Sequence, residues 1–207
     1  MPVSFLVIDD FLQDPMAFRK VLTELEYPQV NVVKGYPGRN SGNAVRIPGL
    51  ENEISRLVQE NIVPKNGAGH AKARLTLAGE VGAADIHVDD CYWSAILYMT
   101  LPEYCQGGTS FFSHKETGMD QATLSDADIK KLGVSNRSQA AEVYNNILKN
   151  DAHDHDKWNL TMQVPMRFNR LVLLRPWLWH TAEPGFGQSI EDGRLVYLMF
   201  FTKPGAE

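Results

Sequence analysis

Apolar residues along the chain first form a short run, then recur at helical spacing, and from about residue 71 return to a strand-like period. Ser4-Phe5-Leu6-Val7-Ile8 predicts a short buried strand closed by Asp9-Asp10. Asp14-Pro15 predicts a helix start, with Asp14 as N-cap and Pro15 at the first helical position. Phe18, Val21, Leu22 and Leu25 then follow on one face until Tyr27-Pro28 ends the run. Residues 34–43, rich in Gly, Pro and Asn, predict a loop. A second amphipathic helix is expected over residues 50–62, carrying Ile54, Leu57 and Val58 and stopped by Pro64.

The downstream half reads as strands. Arg74-Leu75-Thr76-Leu77 alternates, and residues 92–101 form a long run of aromatic and branched side chains. Gly107-Gly108 turns the chain into Thr109-Ser110-Phe111-Phe112, and residues 161–166, 170–174 and 194–201 are further strand candidates. Residues 120–157 interrupt with helical patterning. Ser125-Asp126-Ala127-Asp128 opens one short helix, and Ser138 caps another that carries Ala141, Val143, Tyr144, Ile147 and Leu148. No internal repeat or low-complexity segment is present. Two helices followed by many strands, with one helical insertion, predict an α+β, mainly β protein built on a sandwich or barrel.

Composition narrows the classes. At 207 residues, one domain over 1–207 is expected, with support helices over about residues 1–66 and the insertion over about 120–157. The net charge of −5 disfavours a generally basic nucleic-acid binder. No apolar run approaches the ~20 residues that span a bilayer, so no membrane partner is expected. Met1-Pro2-Val3-Ser4-Phe5 lacks the basic region and small-residue cleavage site of a signal peptide. Cys91 and Cys105 cannot staple a domain of this size, so a reduced, cytoplasmic protein with structural thiols is expected.

The chemistry sits in the histidines. In the extended segment Ile86-His87-Val88-Asp89, residues two apart share a face, so His87 and Asp89 converge while Val88 points away. Trp179-His180-Thr181, 91 residues beyond Asp89, offers a third ligand if the fold returns the chain. Two histidines and one carboxylate on an octahedral face are the facial triad of non-haem Fe(II) oxygenases. Arg194 lies 14 residues after His180 and opens an apolar strand. A guanidinium there is costly to bury without an anion, and its planar fork suits a carboxylate.

Other ligand-bearing residues are weaker. His153-Asp154-His155-Asp156 lies at the polar end of a predicted helix and reads as a solvated loop. His70 and His114 read as surface residues, and Asp85 is the only alternative carboxylate in phase with the ligand face. Neither cysteine has partners at zinc spacing. Tyr92, Trp93, Trp177 and Trp179 serve core packing, or one of them walls the active site; Tyr92, Trp93 and Trp179 are the pocket candidates.

Together, His87-x-Asp89, His180 and Arg194 resemble the Fe(II)/2-oxoglutarate-dependent dioxygenases, most closely the prolyl-4-hydroxylase-like branch. Ala95-Ile96-Leu97-Tyr98-Met99-Thr100 and Gly107-Gly108-Thr109-Ser110-Phe111 resemble that branch's strand and Gly-Gly turn. Pro176-Trp177-Leu178-Trp179-His180 and Gly193-Arg194-Leu195-Val196 resemble its distal-histidine and arginine segments, and Val7-Ile8-Asp9-Asp10-Phe11-Leu12 its entry strand. The resemblance implies a double-stranded β-helix, or jelly roll, with His87, Asp89 and His180 on Fe(II). It further implies 2-oxoglutarate and O2 as cosubstrates, Arg194 on the distal carboxylate, and release of succinate and CO2. A tyrosine common before the HxD is replaced by Arg74-Leu75-Thr76-Leu77, which leaves Thr76, Arg74 or Tyr98 to assist the cosubstrate. With Asp89 present, hydroxylation rather than halogenation is implied, on an amino acid, peptide or small metabolite. Two other classes compete: a non-catalytic jelly-roll metal-binding or sensor module, and a cupin-like enzyme, which would have histidine at position 89.

Overall fold

The computed structural model of the protein describes residues 3–28, 35–67, 69–122 and 125–206. Lys34, where the sequence places the start of a loop, lies outside these residues, as do Met1 and Pro2. The chain opens with β1 (Phe5–Ile8), α1 (Pro15–Thr23), β2 (Arg39–Asn40), α2 (Leu50–Val58) and β3 (Val63–Pro64). It continues through β4 (Lys72–Thr76), β5 (Trp93–Tyr98) and β6 (Gly108–His114) to the insertion helices α3 (Asp126–Lys131) and α4 (Arg137–Asn150). The last strands are β7 (Trp158–Pro165), β8 (Leu171–Leu174), β9 (His180–Ala182) and β10 (Arg194–Thr202).

Local chemistry sets several boundaries. The Asp14 carboxylate accepts the Ala17 N–H at 3.0 Å, and Pro15 opens α1 as expected. Ser125 and Asp128 form a reciprocal capping box at α3. Asn136 caps α4 in place of Ser138, accepting from the Gln139 N–H at 3.0 Å. α2 ends at Val58 rather than near residue 62, because Gln59 turns left-handed (φ 58°) and frees Val63–Pro64 to pair with β10.

Two antiparallel sheets result. The larger runs β1-β8-β5-β10-β4-β2, with β3 also on β10, and the smaller runs β7-β6-β9. Alternation along each strand of the larger sheet divides the molecule. Leu195, Tyr197, Met199 and Phe201 of β10 face one way, joined by Trp93, Ala95 and Leu97 of β5 and by Leu171 and Leu173 of β8. Leu22 of α1 and Leu50, Ile54 and Val58 of α2 cover this face. Complete burial of a side chain such as Ile54 contributes about 1.5–3 kcal/mol. The opposite parity, Tyr98, Val172, Leu174 and Val196, packs on Phe111 and Val164 of the smaller sheet. Towards the open end the same inner face widens into a cavity lined by Arg74, Ser94, Ile96, Val196, Leu198 and Phe200. No described helix is long and apolar enough to cross a membrane.

Candidate metal centre

His87, Asp89 and His180 converge at this cavity, with one ligand atom from each lying within 4.8 Å of the others. A direct backbone bridge spans the 93 residues between the two histidines. The His87 N–H donates to the His180 carbonyl at 2.9 Å, and the His180 N–H returns to the His87 carbonyl at 3.0 Å. His180 opens β9 opposite Phe111 of β6, and the Asp89 N–H is held by the Pro176 carbonyl at 2.9 Å.

Both imidazoles are oriented by the chain around them. His87 Nδ1 donates to the Asp85 carbonyl at 2.5 Å and His180 Nδ1 to the Leu178 carbonyl at 2.7 Å. Each Nε2 is thereby left with a lone pair, the tautomer a metal needs. Those atoms lie 3.6 and 3.5 Å from Asp89 Oδ1 and Oδ2. The carboxylate accepts the Ser94 hydroxyl on Oδ2 at 2.6 Å and the Tyr36 hydroxyl on Oδ1 at 3.1 Å.

The electrostatics favour a cation between these groups. Burial, with the neighbouring His180 adding to it, pushes His87 down to about 3, so its imidazole is neutral at physiological pH. Burial alone would raise Asp89, but its contacts with His180, His87 and Ser94 outweigh it and hold the carboxyl below its usual range. Two imidazoles and one carboxylate are the donor set that suits a first-row divalent ion such as Fe(II).

The second feature of the cavity is Arg194. It is buried, with 4% of its surface exposed, and its Nε has no hydrogen-bond partner. Burial pushes its pKa down, and Tyr98 and Glu183 offset part of that. Such a cation is expensive without an anion beside it. Arg74 lines the same wall two strand positions away, its Nε bound to Asn40 Oδ1 at 2.7 Å. Thr76, opposite Arg194 on β4, also lines the cavity. Tyr98 does not; its hydroxyl bonds Thr109 Oγ1 at 2.6 Å within the layer between the sheets.

The three aromatic pocket candidates lie elsewhere. Trp93 takes the helix-facing parity of β5 and donates to Glu60 Oε2 at 2.8 Å, and Tyr92 packs beside it. Arg175 stacks over both rings, at 3.9 Å from Trp93 and 4.5 Å from Tyr92. Trp179 is fully buried among Ile86, Phe112, Ile147 and Trp158. None of the three lines the cavity: Trp93 and Tyr92 pack with the helix-side core, and Trp179 lies under the insertion.

Four histidines depart from their sequence readings. His153 and His155 are exposed as expected, yet both line the cavity mouth, where His155 Nε2 meets Asp85 Oδ2 at 2.9 Å. Asp85 is thereby committed outside the ligand set. His114 is buried on β6 against the Trp158 ring, with Nε2 3.3 Å from Asp151. The His70 side chain is mostly buried, its Nδ1 on the Phe200 carbonyl at 2.7 Å. Tyr36 and Ser94 were not singled out in the sequence. Ser94 carried a signal, a hydroxyl at the cavity parity of an apolar strand, whereas Tyr36 lies in a Gly/Pro loop with no pattern to mark it.

Comparison with known proteins adds the following. No curated protein matches the sequence. Among solved structures, HygX from Streptomyces hygroscopicus, with nickel, 2-oxoglutarate and hygromycin B bound, aligns over 99% of this chain and 84% of its own at 13% identity and a TM-score of 0.54. AviO1 from Streptomyces viridochromogenes Tue57 aligns over 99% of this chain and 91% of its own, at 12% identity and 0.55. SnoK, a non-haem α-ketoglutarate-dependent carbocyclase from nogalamycin biosynthesis, aligns over 98% and 81%, at 14% identity and 0.50. At such identity the likeness is one of fold. A family model described as a family of unknown function, DUF6445, matches residues 3–201, and the chain belongs to that family.

Proposed function

We propose that this protein is an Fe(II)- and 2-oxoglutarate-dependent oxygenase, a single domain over 1–207 built on a double-stranded β-helix. The observation that carries the reading is the pairing of two features in one cavity: a His-Asp-His donor set and a buried guanidinium whose Nε has no partner. Neighbours of similar fold support it, since HygX holds nickel with 2-oxoglutarate and SnoK depends on α-ketoglutarate.

His87, Asp89 and His180 would hold the iron. When bound, iron and cosubstrate supply the oxidant for C–H hydroxylation, consuming 2-oxoglutarate and O2 and releasing succinate and CO2. The protein's own part is placement and exclusion. The Nδ1–H donations to the Asp85 and Leu178 carbonyls aim both rings and leave each Nε2 free for the metal. Arg194 grips the distal carboxylate of the cosubstrate, assisted by the Thr76 hydroxyl. Ile96, Val196, Leu198 and Phe200 provide apolar walls that limit water.

The cavity, about 390 Å³, falls among small-molecule sites. That favours a small metabolite or amino acid over a long peptide, and hygromycin B in HygX is a small-molecule precedent. Gly107-Gly108 at the head of β6 supports the prolyl-4-hydroxylase-like branch, and free Cys91 and Cys105 suit a reducing cytoplasm.

The test is anaerobic loading with Fe(II) and 2-oxoglutarate, followed by O2 and quantification of succinate. O2-dependent succinate that vanishes in Asp89→Ala is expected. A protein that binds iron and 2-oxoglutarate but forms no succinate above the iron-free control would instead be a non-catalytic metal-binding module.

A further inference from the structure

The Asp89 carboxylate receives two side-chain hydroxyl donors, and they are unlike each other. Ser94 belongs to β5 and is fixed by the sheet. Tyr36 comes from a loop, yet touches two members of the triad: its hydroxyl donates to Asp89 Oδ1 at 3.1 Å and its ring lies 4.3 Å from that of His87. The Arg74 guanidinium stacks on the same ring at 5.3 Å.

Backbone wedged without room for side chains holds the loop in place. A Cβ on Gly82 would meet Pro37 N at 2.4 Å and the Gly35 carbonyl at 2.6 Å. The Ala84 N–H donates to that Gly35 carbonyl at 2.9 Å. On the other side, a Cβ on Gly38 would meet the Leu75 carbonyl of β4 at 2.5 Å. So many close approaches around one tyrosine are unusual for a loop whose role is connection alone.

We propose that Tyr36 is a positioning residue of the metal centre: its hydroxyl, opposing Ser94, fixes the Asp89 carboxylate in the orientation that meets both histidines. The inference rests on the metal-site reading above and assigns the loop at 35–38 a part in it. With Ser94 as the sole donor, the carboxylate swings about that bond and the three donor atoms lose their common focus. Outer partners of metal ligands are worth about 10–100-fold in affinity.

The test measures Co(II) binding to the metal-free protein by calorimetry, with no cosubstrate or turnover involved. Tyr36→Phe is expected to raise the cobalt Kd about 10–100-fold and to shift the visible d–d bands of the loaded protein. Its metal-free thermal midpoint should match the wild type. Gly82→Ala, which displaces Pro37 without touching Asp89, should weaken cobalt in the same direction. An unchanged Kd and spectrum in Tyr36→Phe overturns the inference while leaving the oxygenase reading intact. A wild type that binds no cobalt overturns both, and cobalt binding that depends on Tyr36 without succinate formation overturns the oxygenase reading alone.

Discussion

Replacing Arg194 with methionine should move two quantities in opposite directions. In the ligand-free protein the guanidinium is buried, with 4% of its surface exposed and no partner on Nε. The effective penalty for such an ion is several kcal/mol, and methionine, of similar length and apolar, removes it. The ligand-free variant should therefore be as stable as the wild type or more so. The same change removes the anchor proposed for the cosubstrate, and truncating one partner of a buried, hydrogen-bonded charge pair costs about 2–5 kcal/mol. A loss near 2.8 kcal/mol is about 100-fold in Kd. At a cosubstrate concentration about 100 times the wild-type Kd, ligand stabilisation of the wild type is about 2.7 kcal/mol. The variant, then near its own Kd, would gain only about 0.4 kcal/mol. Urea unfolding of the metal-loaded proteins with and without 2-oxoglutarate reads both terms. A variant that retains the full 2-oxoglutarate gain refutes the anchor, and one that is destabilised by several kcal/mol without ligand shows that Arg194 serves the fold.

Three further outcomes are expected. His87→Ala, Asp89→Ala or His180→Ala should each abolish stoichiometric Fe(II) binding, measured by equilibrium dialysis under anaerobic conditions; retention by any one removes that residue from the set. The metal-free protein should lose stability as pH falls. His87, held at about 3 in the folded state, takes its proton near 6.5 when unfolded, so the unfolded chain binds more protons between those values. Asp89, held low, works in the same direction at lower pH. Urea midpoints should decline from about pH 6.5 downward, less so in His87→Gln; a flat profile contradicts the assignment. Arg175→Ala should destabilise by about 3 kcal/mol, since it breaks a 2.7 Å pair with Glu60 and uncovers Trp93, while Fe(II) affinity stays unchanged. A urea midpoint equal to the wild type would show that the stack adds nothing.

α3 and α4 lead to His153 and His155, which stand at the cavity mouth with Asp85. His87, Asp89, His180 and Arg194 all come from strands or strand-flanking segments of the two sheets, whereas these two imidazoles come from the insertion. Variation of such a rim alters what enters without disturbing the centre.

Local rules carried a definite part of this protein. Asp14-Pro15 opens a helix whatever surrounds it, because a carboxylate beside an unpaired N–H and a fixed proline φ need no distant partner. His87 and Asp89 share a face because alternate residues of an extended chain do. The strands β4, β5, β6, β8 and β10 and the insertion helices were legible for the same reason: their periods are written in consecutive residues. What the sequence could not carry was which of two apolar faces would be sealed and which left open. Trp93 and Ser94 are neighbours on one strand, and only the docking of α1 and α2 on the Trp93 side makes the Ser94 side a cavity. The same holds for Tyr36, brought to Asp89 by backbone approaches across 53 residues, and for His180, joined to His87 by two main-chain hydrogen bonds across 93. Long-range pairing has no period in the chain, so the ligands could be nominated from the sequence, but their convergence was decided by the fold.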